Sequence, residues 1–258
     1  MDNIFNFNRF IQLFIRHTLV HYRTYLMSFV VLMGVLALTM GYVFYLNKGY
    51  INSNAQFVYF VTFLLLGGSI FTSVIFSELN DKCKAIPYLM LPASVFEKFL
   101  LSWIYSFVIF QLVYIIGFYL IDYLLLAFSE RINPPVPLSN SNQQEALPYA
   151  LTFLAFMVLH SLTFFGAVFF KKLHFIKTGF ALFILLGLLV LANSFFLESL
   201  TGAELSVAIP FQGIEFIQGE AHYYIPSVDQ GNMYYYLMAG LALLLWLGTY
   251  FKLKEQEV

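Results

Sequence analysis

The chain has 258 residues, of which 60% are hydrophobic, 20% aromatic and only 10% charged, and its net charge is −1. A water-soluble domain carries about 25% charged residues, so a chain of this composition cannot cover its surface with polar side chains. The same apolar content excludes intrinsic disorder, and a single cysteine excludes a disulfide scaffold. The sequence therefore predicts an integral membrane protein.

Residues 1–23 have the pattern of an amphipathic helix lying in the cytoplasmic headgroup layer. Its apolar face is formed, at spacings of three and four residues, by Phe7, Phe10, Ile11 and Phe14. A second stripe repeats every seven residues and consists of Arg9, Arg16 and Arg23. We expect these arginines to meet anionic lipid, and the alternative is that they only fix the orientation of the chain.

Six stretches free of Asp, Glu, Lys and Arg follow, each long enough for one helical crossing of a hydrocarbon core of about 30 Å. The predicted spans are residues 24–47, 55–77, 99–121, 146–170, 178–197 and 230–251. The predicted fold class is an all-α integral membrane protein with one six-helix domain over residues 24–251. Residues 252–258 form a short cytoplasmic tail.

Lysine and arginine are distributed unequally between the two sides of this arrangement. Eleven of the thirteen fall in the N-terminal segment, the second and fourth connections and the C-terminal tail. Only Lys48 and Arg131 fall on the other side. The positive-inside rule therefore predicts that both termini are cytoplasmic.

The second connection, residues 78–98, contains a short apolar strip between two prolines, with charges on both sides. Pro87 and Pro92 limit any helix between them to about one turn. Ser94 and Glu97 have the spacing of a capping box that opens the third span. Such a segment suits docking onto another protein, and the alternative is a loop packed on the bilayer surface.

Polar residues inside the predicted spans are few. His160 lies near the middle of the fourth span, Gln111 within the third and Asn193 near the outer end of the fifth. An intramembrane ionisable group is a functional candidate. The alternative for His160 is an interhelical hydrogen bond to a serine or threonine of a neighbouring span, since it has no carboxylate partner for proton relay.

The last outer connection, residues 198–229, is the longest. Its stretch 207–217 mixes β-branched and aromatic residues with a proline and a glycine, which predicts a short hairpin or a re-entrant structure. Its acidic residues could face a cationic substrate, or they could form a solvated loop. They are Glu198, Glu204, Glu215, Glu220 and Asp229.

The sequence lacks the common motifs for ATP hydrolysis, for metal binding and for hydrolytic catalysis. The sequence contains no phosphate-binding P-loop, no His-Glu-x-x-His, no Gly-x-Ser-x-Gly and no cysteine pair at metal-ligand spacing. Cys83 is a lone thiol that we expect to be inert. We therefore expect no catalytic residues, no metal and no directly bound cofactor, and an intramembrane enzyme is a weak hypothesis.

The segment 78–98 resembles the cytoplasmic loop of ABC-2 type transporter permeases. The resemblance lies in an acidic residue at the end of the second span, Glu78, in Leu91-Pro92-Ala93-Ser94, and in Lys98. The stretch 88–99 also resembles permeases of this class from Bacteroidetes-like bacteria. Six spans, inward termini and an N-terminal surface helix fit the same class.

The resemblance implies a permease subunit of an ATP-driven exporter in the bacterial inner membrane, without nucleic-acid partners. Such permeases form homodimers or heterodimers and bind two copies of a separate ATPase subunit, which holds ATP and Mg²⁺. Many relatives export hydrophobic, lipid-like or peptide substrates. The loop between spans two and three would be the coupling helix. Its coupling residues in this chain would be Glu78, Lys82, Lys84, Pro87, Leu89, Pro92, Ser94, Glu97 and Lys98.

A second hypothesis needs no transport. In it, the chain is a membrane anchor or assembly protein that holds a cytoplasmic partner through the same segment, 78–98. Stimulation of a partner's ATP hydrolysis would separate the two hypotheses.

Overall fold

The computed structural model describes residues 5–49, 52–75, 93–132, 147–170, 173–202, 213–218, 221–225 and 233–256. Within these ranges, six helices are long and apolar enough to cross a membrane. The predictions of a predominantly helical chain and of six potential membrane-spanning helices are confirmed. The chain is a multi-pass membrane protein by this criterion.

The described elements are seven α-helices, one π-helical turn and one hairpin. The helices are α1 (Phe7–Leu46), α2 (Ser53–Ile75), α3 (Val95–Trp103), α4 (Phe110–Ile132), α5 (Leu147–Phe169), α6 (His174–Thr201) and α7 (Met233–Gln256). The π-helical turn, Ile104–Ile109, joins α3 to α4 without a break, and the three segments are called the third rod below. Strands β1 (Ile214–Gln218) and β2 (Ala221–Ile225) pair antiparallel, so a hairpin lies between α6 and α7, although only β1 overlaps the stretch 207–217 in which a hairpin or re-entrant structure was predicted.

The N-terminal segment is not a separate helix, which corrects the predicted boundary at residue 23. Helix α1 runs unbroken for 40 residues. The sequence between Phe7 and Met33 contains no glycine or proline that could interrupt it. At 1.5 Å per residue, α1 is about 60 Å long, roughly twice the thickness of a hydrocarbon core.

The apolar face of the N-terminal segment packs on protein. Leu13 is buried, and Phe10 and Phe14 pack against the same apolar cluster, with the Phe14 ring centroid 5.0 Å from that of Tyr105 in the third rod. Phe7 and Ile11, which the helical spacing placed on the same face, are exposed. The burial therefore follows a face centred on Leu13, because the neighbouring helices cover only that side.

The third rod continues to Ile132, eleven residues beyond the predicted end of the third span at Ile121. The charge-free run ends at Asp122, but that carboxylate accepts a hydrogen bond from Gln56 Nε2 at 2.9 Å. The bond joins the first turn of α2 to α4. An acidic residue with a partner is therefore accommodated inside the helix.

Two apolar clusters form the core. One lies at the end of the bundle where α1 and the third rod begin and where α2, α5 and α7 end, and we call this end the basic end. It carries Arg9, Arg16, Lys98, Lys252 and Lys254. The other cluster lies towards the opposite end, around Leu36, Phe60, Tyr114 and Phe156.

Helix α5 is the central helix, in contact with α2, α6, α7 and the π-helical turn. Glycines permit two of these close approaches. A Cβ atom at Gly68 of α2 would overlap the ring of Phe156, and one at Gly166 of α5 would overlap Thr178 of α6. The close approach of α2 and α5 brings α5, with His160, against the third rod.

Candidate functional site

The first group of functional candidates lies at the basic end, where α3 begins. Ser94 is the N-cap of α3, and its hydroxyl accepts a hydrogen bond from the backbone N–H of Glu97 at 3.2 Å. The Glu97 carboxylate accepts one in return from the backbone N–H of Ser94 at 2.9 Å. The predicted capping box is therefore confirmed.

The Glu97 carboxylate also binds the beginning of α1. Arg9 donates to it twice, from Nε to Oε2 at 2.7 Å and from Nη2 to Oε1 at 2.8 Å. The backbone N–H of Asn6, the N-cap of α1, donates to Oε1 at 2.8 Å. Glu97 is 0% exposed, whereas the Arg9 side chain is 36% exposed. We call this group, Asn6, Arg9, Ser94 and Glu97, the basic-end clamp.

The clamp is electrostatically favourable because one carboxylate sits at the N-termini of two helices. The exposed N–H groups there carry partial positive charge, and the guanidinium adds a full one. These four hydrogen bonds to the Glu97 carboxylate, at 2.7–2.9 Å, are short enough to be strong. The clamp therefore fixes the start of α1 to the start of α3.

Two sequence assignments need correction at this point. Glu97 and Lys98 were expected to contact a docked partner, but both are buried in the fold. Arg9 binds Glu97 through its guanidinium, and its predicted contact with lipid stays a prediction. The physical reason is that a buried carboxylate needs a partner, and the continuous helix α1 brings Arg9 to it.

The other arginines of the stripe have a different environment. Arg16 and Arg23 are exposed on α1. Arg23 donates from Nε to the hydroxyl of Tyr22 at 2.9 Å. Their predicted contact with anionic lipid stays a prediction.

The remaining candidates of the coupling segment lie outside the described residues. They are Glu78, Lys82, Lys84, Pro87, Leu89 and Pro92. Their assignment to a docking surface stays a prediction.

The second group of candidates surrounds His160 in α5, which is fully buried. Trp246 of α7 donates from Nε1 to His160 Nδ1 at 3.2 Å. His160 Nε2 lies 2.8 Å from the hydroxyl oxygen of Ser106 in the π-helical turn. That hydroxyl in turn donates to the carbonyl of Ser102 at 2.8 Å. The hydrogen bond between His160 and Ser106 is therefore the interhelical contact to a serine that the sequence analysis gave as the alternative to a functional role for His160.

The hydrogen bonds define the protonation state of the imidazole. Nδ1 accepts from Trp246 and therefore carries no proton. Because a neutral imidazole with an unprotonated Nδ1 carries its proton on Nε2, that N–H donates to the Ser106 oxygen. His160 is thus a neutral imidazole with both nitrogens occupied, which ties α5 to the third rod and to α7.

The π-helical turn is at the point where this network meets the third rod. Its C-terminal bond, from the N–H of Phe110 to the carbonyl of Tyr105, has the wide i to i−5 spacing. Single π-helical turns of this kind occur frequently at functional sites. The network therefore crosses the third rod where its helical geometry changes.

Gln111 and Asn193 do not join this network. Both are partly buried, Gln111 near the start of α4 and Asn193 in α6. The ring nitrogens of His160 bond to Ser106 and Trp246 instead. Within the described part of the chain, no three His, Cys, Asp or Glu side chains are grouped to hold a metal ion.

Sequence reasoning missed Asn6, Ser106 and Trp246. A signal existed for Ser106, since Ser102 and Ser106 are four residues apart in a charge-free span and share one helical face. No local signal indicates that Trp246 meets His160, because the two residues are 86 positions apart.

Comparison with known proteins adds no relative. No protein-family model matches the chain, and no curated protein or solved structure matches it either. The family resemblance of segment 78–98 therefore stays a prediction.

Proposed function

We propose that this chain is the permease subunit of an ATP-driven exporter in the bacterial inner membrane. In this proposal it forms the translocation path, pairs with a second copy or a related permease, and binds two copies of a separate ATPase that holds ATP and Mg²⁺. Segment 78–98 is the docking segment, and both termini are cytoplasmic. The proposal combines the resemblance of this segment with the geometry at its end.

The observation that carries the proposal is the position of the basic-end clamp. The docking segment ends with Ser94 and Glu97, and the Glu97 carboxylate is bonded to the start of α1. Phe96 and Phe99 also contact Tyr250 of α7, with ring centroids 6.3 and 5.8 Å apart. A displacement of the docking segment would therefore be passed to α1, the third rod and α7 together, as a coupling element requires.

In this proposal the two parts of segment 78–98 have different roles. Residues 78–92 would contact the ATPase, whereas the buried Glu97 and Lys98 would anchor the segment to the bundle. This assignment differs from the sequence expectation, which gave all of them to the docking surface.

The proposed orientation can be tested with the single cysteine. Cys83 lies in the docking segment, so a membrane-impermeant maleimide should label it in inverted vesicles and not in intact cells. The matched control is Lys48→Cys in a Cys83→Ser chain, because Lys48 is exposed at the opposite end of α1. Labelling of Cys83 from outside would contradict the orientation and the proposal with it.

The first test of the coupling function is whether a gene next to that of this chain encodes an ATP-binding-cassette protein, as we expect. We expect that protein to copurify with this chain, and we expect Leu89→Pro or Glu78→Lys to release it. Glu255→Lys is the control, because Glu255 is an exposed carboxylate at the same end of the bundle.

The outcome separates the proposal from the anchor hypothesis. If the permease stimulates ATP hydrolysis and the two variants abolish the stimulation, the transporter proposal is supported. If the ATPase binds with unchanged hydrolysis, the chain is an anchor. Binding that neither Leu89→Pro nor Glu78→Lys alters would refute the docking assignment.

A further inference from the structure

Two histidines lie next to each other in the first half of α1. His17 and His21 are four residues apart, so they share one face of the helix. Their ring centroids are 4.5 Å apart. Neither belongs to the basic-end clamp or to the network of His160. We call these two imidazoles the histidine pair.

The spacing of the histidine pair is one that binds metal ions on helices. In the motif His-Glu-x-x-His, two histidines at positions i and i+4 bind Zn²⁺ from one helical face, and the glutamate is the general base. The sequence from His17 to His21 is His-Thr-Leu-Val-His, which keeps the two histidines and lacks the glutamate. The segment therefore has the metal-binding part of this motif without its catalytic part.

Contacts with neighbouring side chains hold the first histidine in place. Nε2 of His17 lies 2.8 Å from the hydroxyl oxygen of Tyr25, which is one turn beyond His21. The His17 ring also packs edge-on against Tyr105 of the third rod, with ring centroids 4.8 Å apart. The hydroxyl groups of Tyr105 and Thr18 are hydrogen-bonded to each other. The His17 imidazole is therefore oriented before any ligand binds, which lowers the entropic cost of binding.

The second nitrogen of the His17 ring is open for coordination. Within the described part of the chain, the structure gives Nδ1 of His17 no hydrogen-bond partner. In the tautomer whose Nε2–H donates to Tyr25, Nδ1 carries a lone pair. A histidine that binds a metal through one nitrogen usually donates from the other to an outer oxygen. His17 thus has the arrangement of a metal ligand with its outer partner in place.

The chemistry of the histidine pair selects a class of metal ion. Imidazole nitrogen suits Zn²⁺, Cu²⁺ and Ni²⁺, whereas Mg²⁺ and Ca²⁺ are bound by oxygen ligands. Both rings are partly buried, so an ion can still reach them. Among the described residues, no third His, Cys, Asp or Glu joins the pair. A bound ion would therefore keep water at its remaining positions.

We propose that His17 and His21 bind one divalent transition-metal ion of the zinc and copper class. The ion would link two successive turns of α1 where this helix packs on Tyr105. The proposal is independent of the exporter function, because it needs neither the ATPase nor transport.

The experiment uses the full chain without an affinity tag, purified in mild detergent and stripped of metal with EDTA. Zn²⁺ is titrated by isothermal calorimetry, and pulsed EPR of bound Cu²⁺ counts the coordinated imidazoles. We expect one ion per chain, with two imidazoles on Cu²⁺. Loss of even an outer partner typically costs about 10–100-fold in metal affinity, so His17→Asn or His21→Asn should lower the Zn²⁺ affinity at least about tenfold.

A position exchange provides the matched control. His21→Tyr combined with Tyr22→His keeps the composition and both histidines, but it turns the second imidazole about 100° around the helix. Tyr22 is exposed, so an imidazole fits at its position. The exchange should lower the Zn²⁺ affinity as much as His21→Asn does, whereas Cys83→Ser should leave it unchanged.

The outcomes decide the proposal and the part played by Tyr25. Wild-type affinity in the exchange variant would show adventitious binding and would overturn the proposal. A Cu²⁺ spectrum with one imidazole would also overturn it, as would loss of Zn²⁺ binding in Cys83→Ser. Tyr25→Phe should lower the affinity about tenfold with both imidazoles still bound, and an unchanged affinity would exclude Tyr25 as the outer partner.

Discussion

The ion pair between Arg9 and Glu97 has a matched control in the same chain. Lys252 and Glu255 also lie 2.7 Å apart, and the exposed fractions of the two cations are nearly equal, 36% for Arg9 and 37% for Lys252. The carboxylates differ strongly in burial, since Glu97 is 0% and Glu255 is 65% exposed. The comparison therefore contrasts a buried carboxylate held by two guanidinium hydrogen bonds with an exposed carboxylate held by one lysine.

The expected magnitude follows from the contacts of Glu97. Removing one partner of a buried ion pair costs about 3–5 kcal/mol of unfolding free energy. Because Arg9 is partly exposed and two backbone N–H groups still bond the carboxylate, we expect about 2 kcal/mol for Arg9→Gln. For Lys252→Gln on the surface we expect less than about 0.5 kcal/mol.

The measurement is a double-mutant cycle in each pair. Arg9→Gln is combined with Glu97→Gln, and Lys252→Gln with Glu255→Gln. Unfolding is driven by SDS in mixed micelles and followed by the fluorescence of the two tryptophans, Trp103 and Trp246. We expect a coupling free energy of about 1.5 kcal/mol for the buried pair and below about 0.5 kcal/mol for the surface pair.

Salt provides an independent check on the same reasoning. At about 1 M ionic strength the Debye length is about 3 Å, so the coupling of Lys252 to Glu255 should vanish while that of Arg9 to Glu97 persists. Equal coupling energies in the two pairs would refute the role assigned to burial. The same conclusion would follow if salt abolished both couplings.

Two further predictions concern the interior of the bundle. Trp246→Phe removes the donor to His160 Nδ1 and keeps an aromatic ring, so it should lower the unfolding free energy by about 1 kcal/mol in the same SDS titration. Gly68→Ala should destabilise the chain because its Cβ meets the ring of Phe156, whereas Gly187→Ala, where a Cβ meets nothing within 4 Å, should be neutral or stabilising. Equal effects of the two alanines would contradict the close packing of α2 on α5.

The positions of the helices could be read from the sequence because they depend on local composition. The predicted fourth span, residues 146–170, agrees closely with α5, Leu147–Phe169. A run of about 20 apolar residues must form a helix in lipid, since every backbone group then bonds within its own segment. The capping box of Ser94 and Glu97 is equally local, three residues apart.

The boundary at residue 23 could not be read in the same way. Charge in the N-terminal segment indicated a separate surface helix, but nothing in its sequence interrupts the helix before the first span. Phe10, Leu13 and Phe14 pack into an apolar cluster that includes residues of the third rod, and this packing holds the segment in line with the rest of α1. Those contacts join residues far apart in the chain.

The sequence by itself determined which residues are apolar, where helices form and that charge is confined to the ends of the spans. Only the tertiary structure decided the partners: Arg9 with Glu97 across 88 positions, and His160 with Ser106 across 54. The physical reason is that helix formation depends on neighbours within one turn. The partner of a buried polar group depends instead on which faces of distant helices pack together, and local periodicity does not specify that packing.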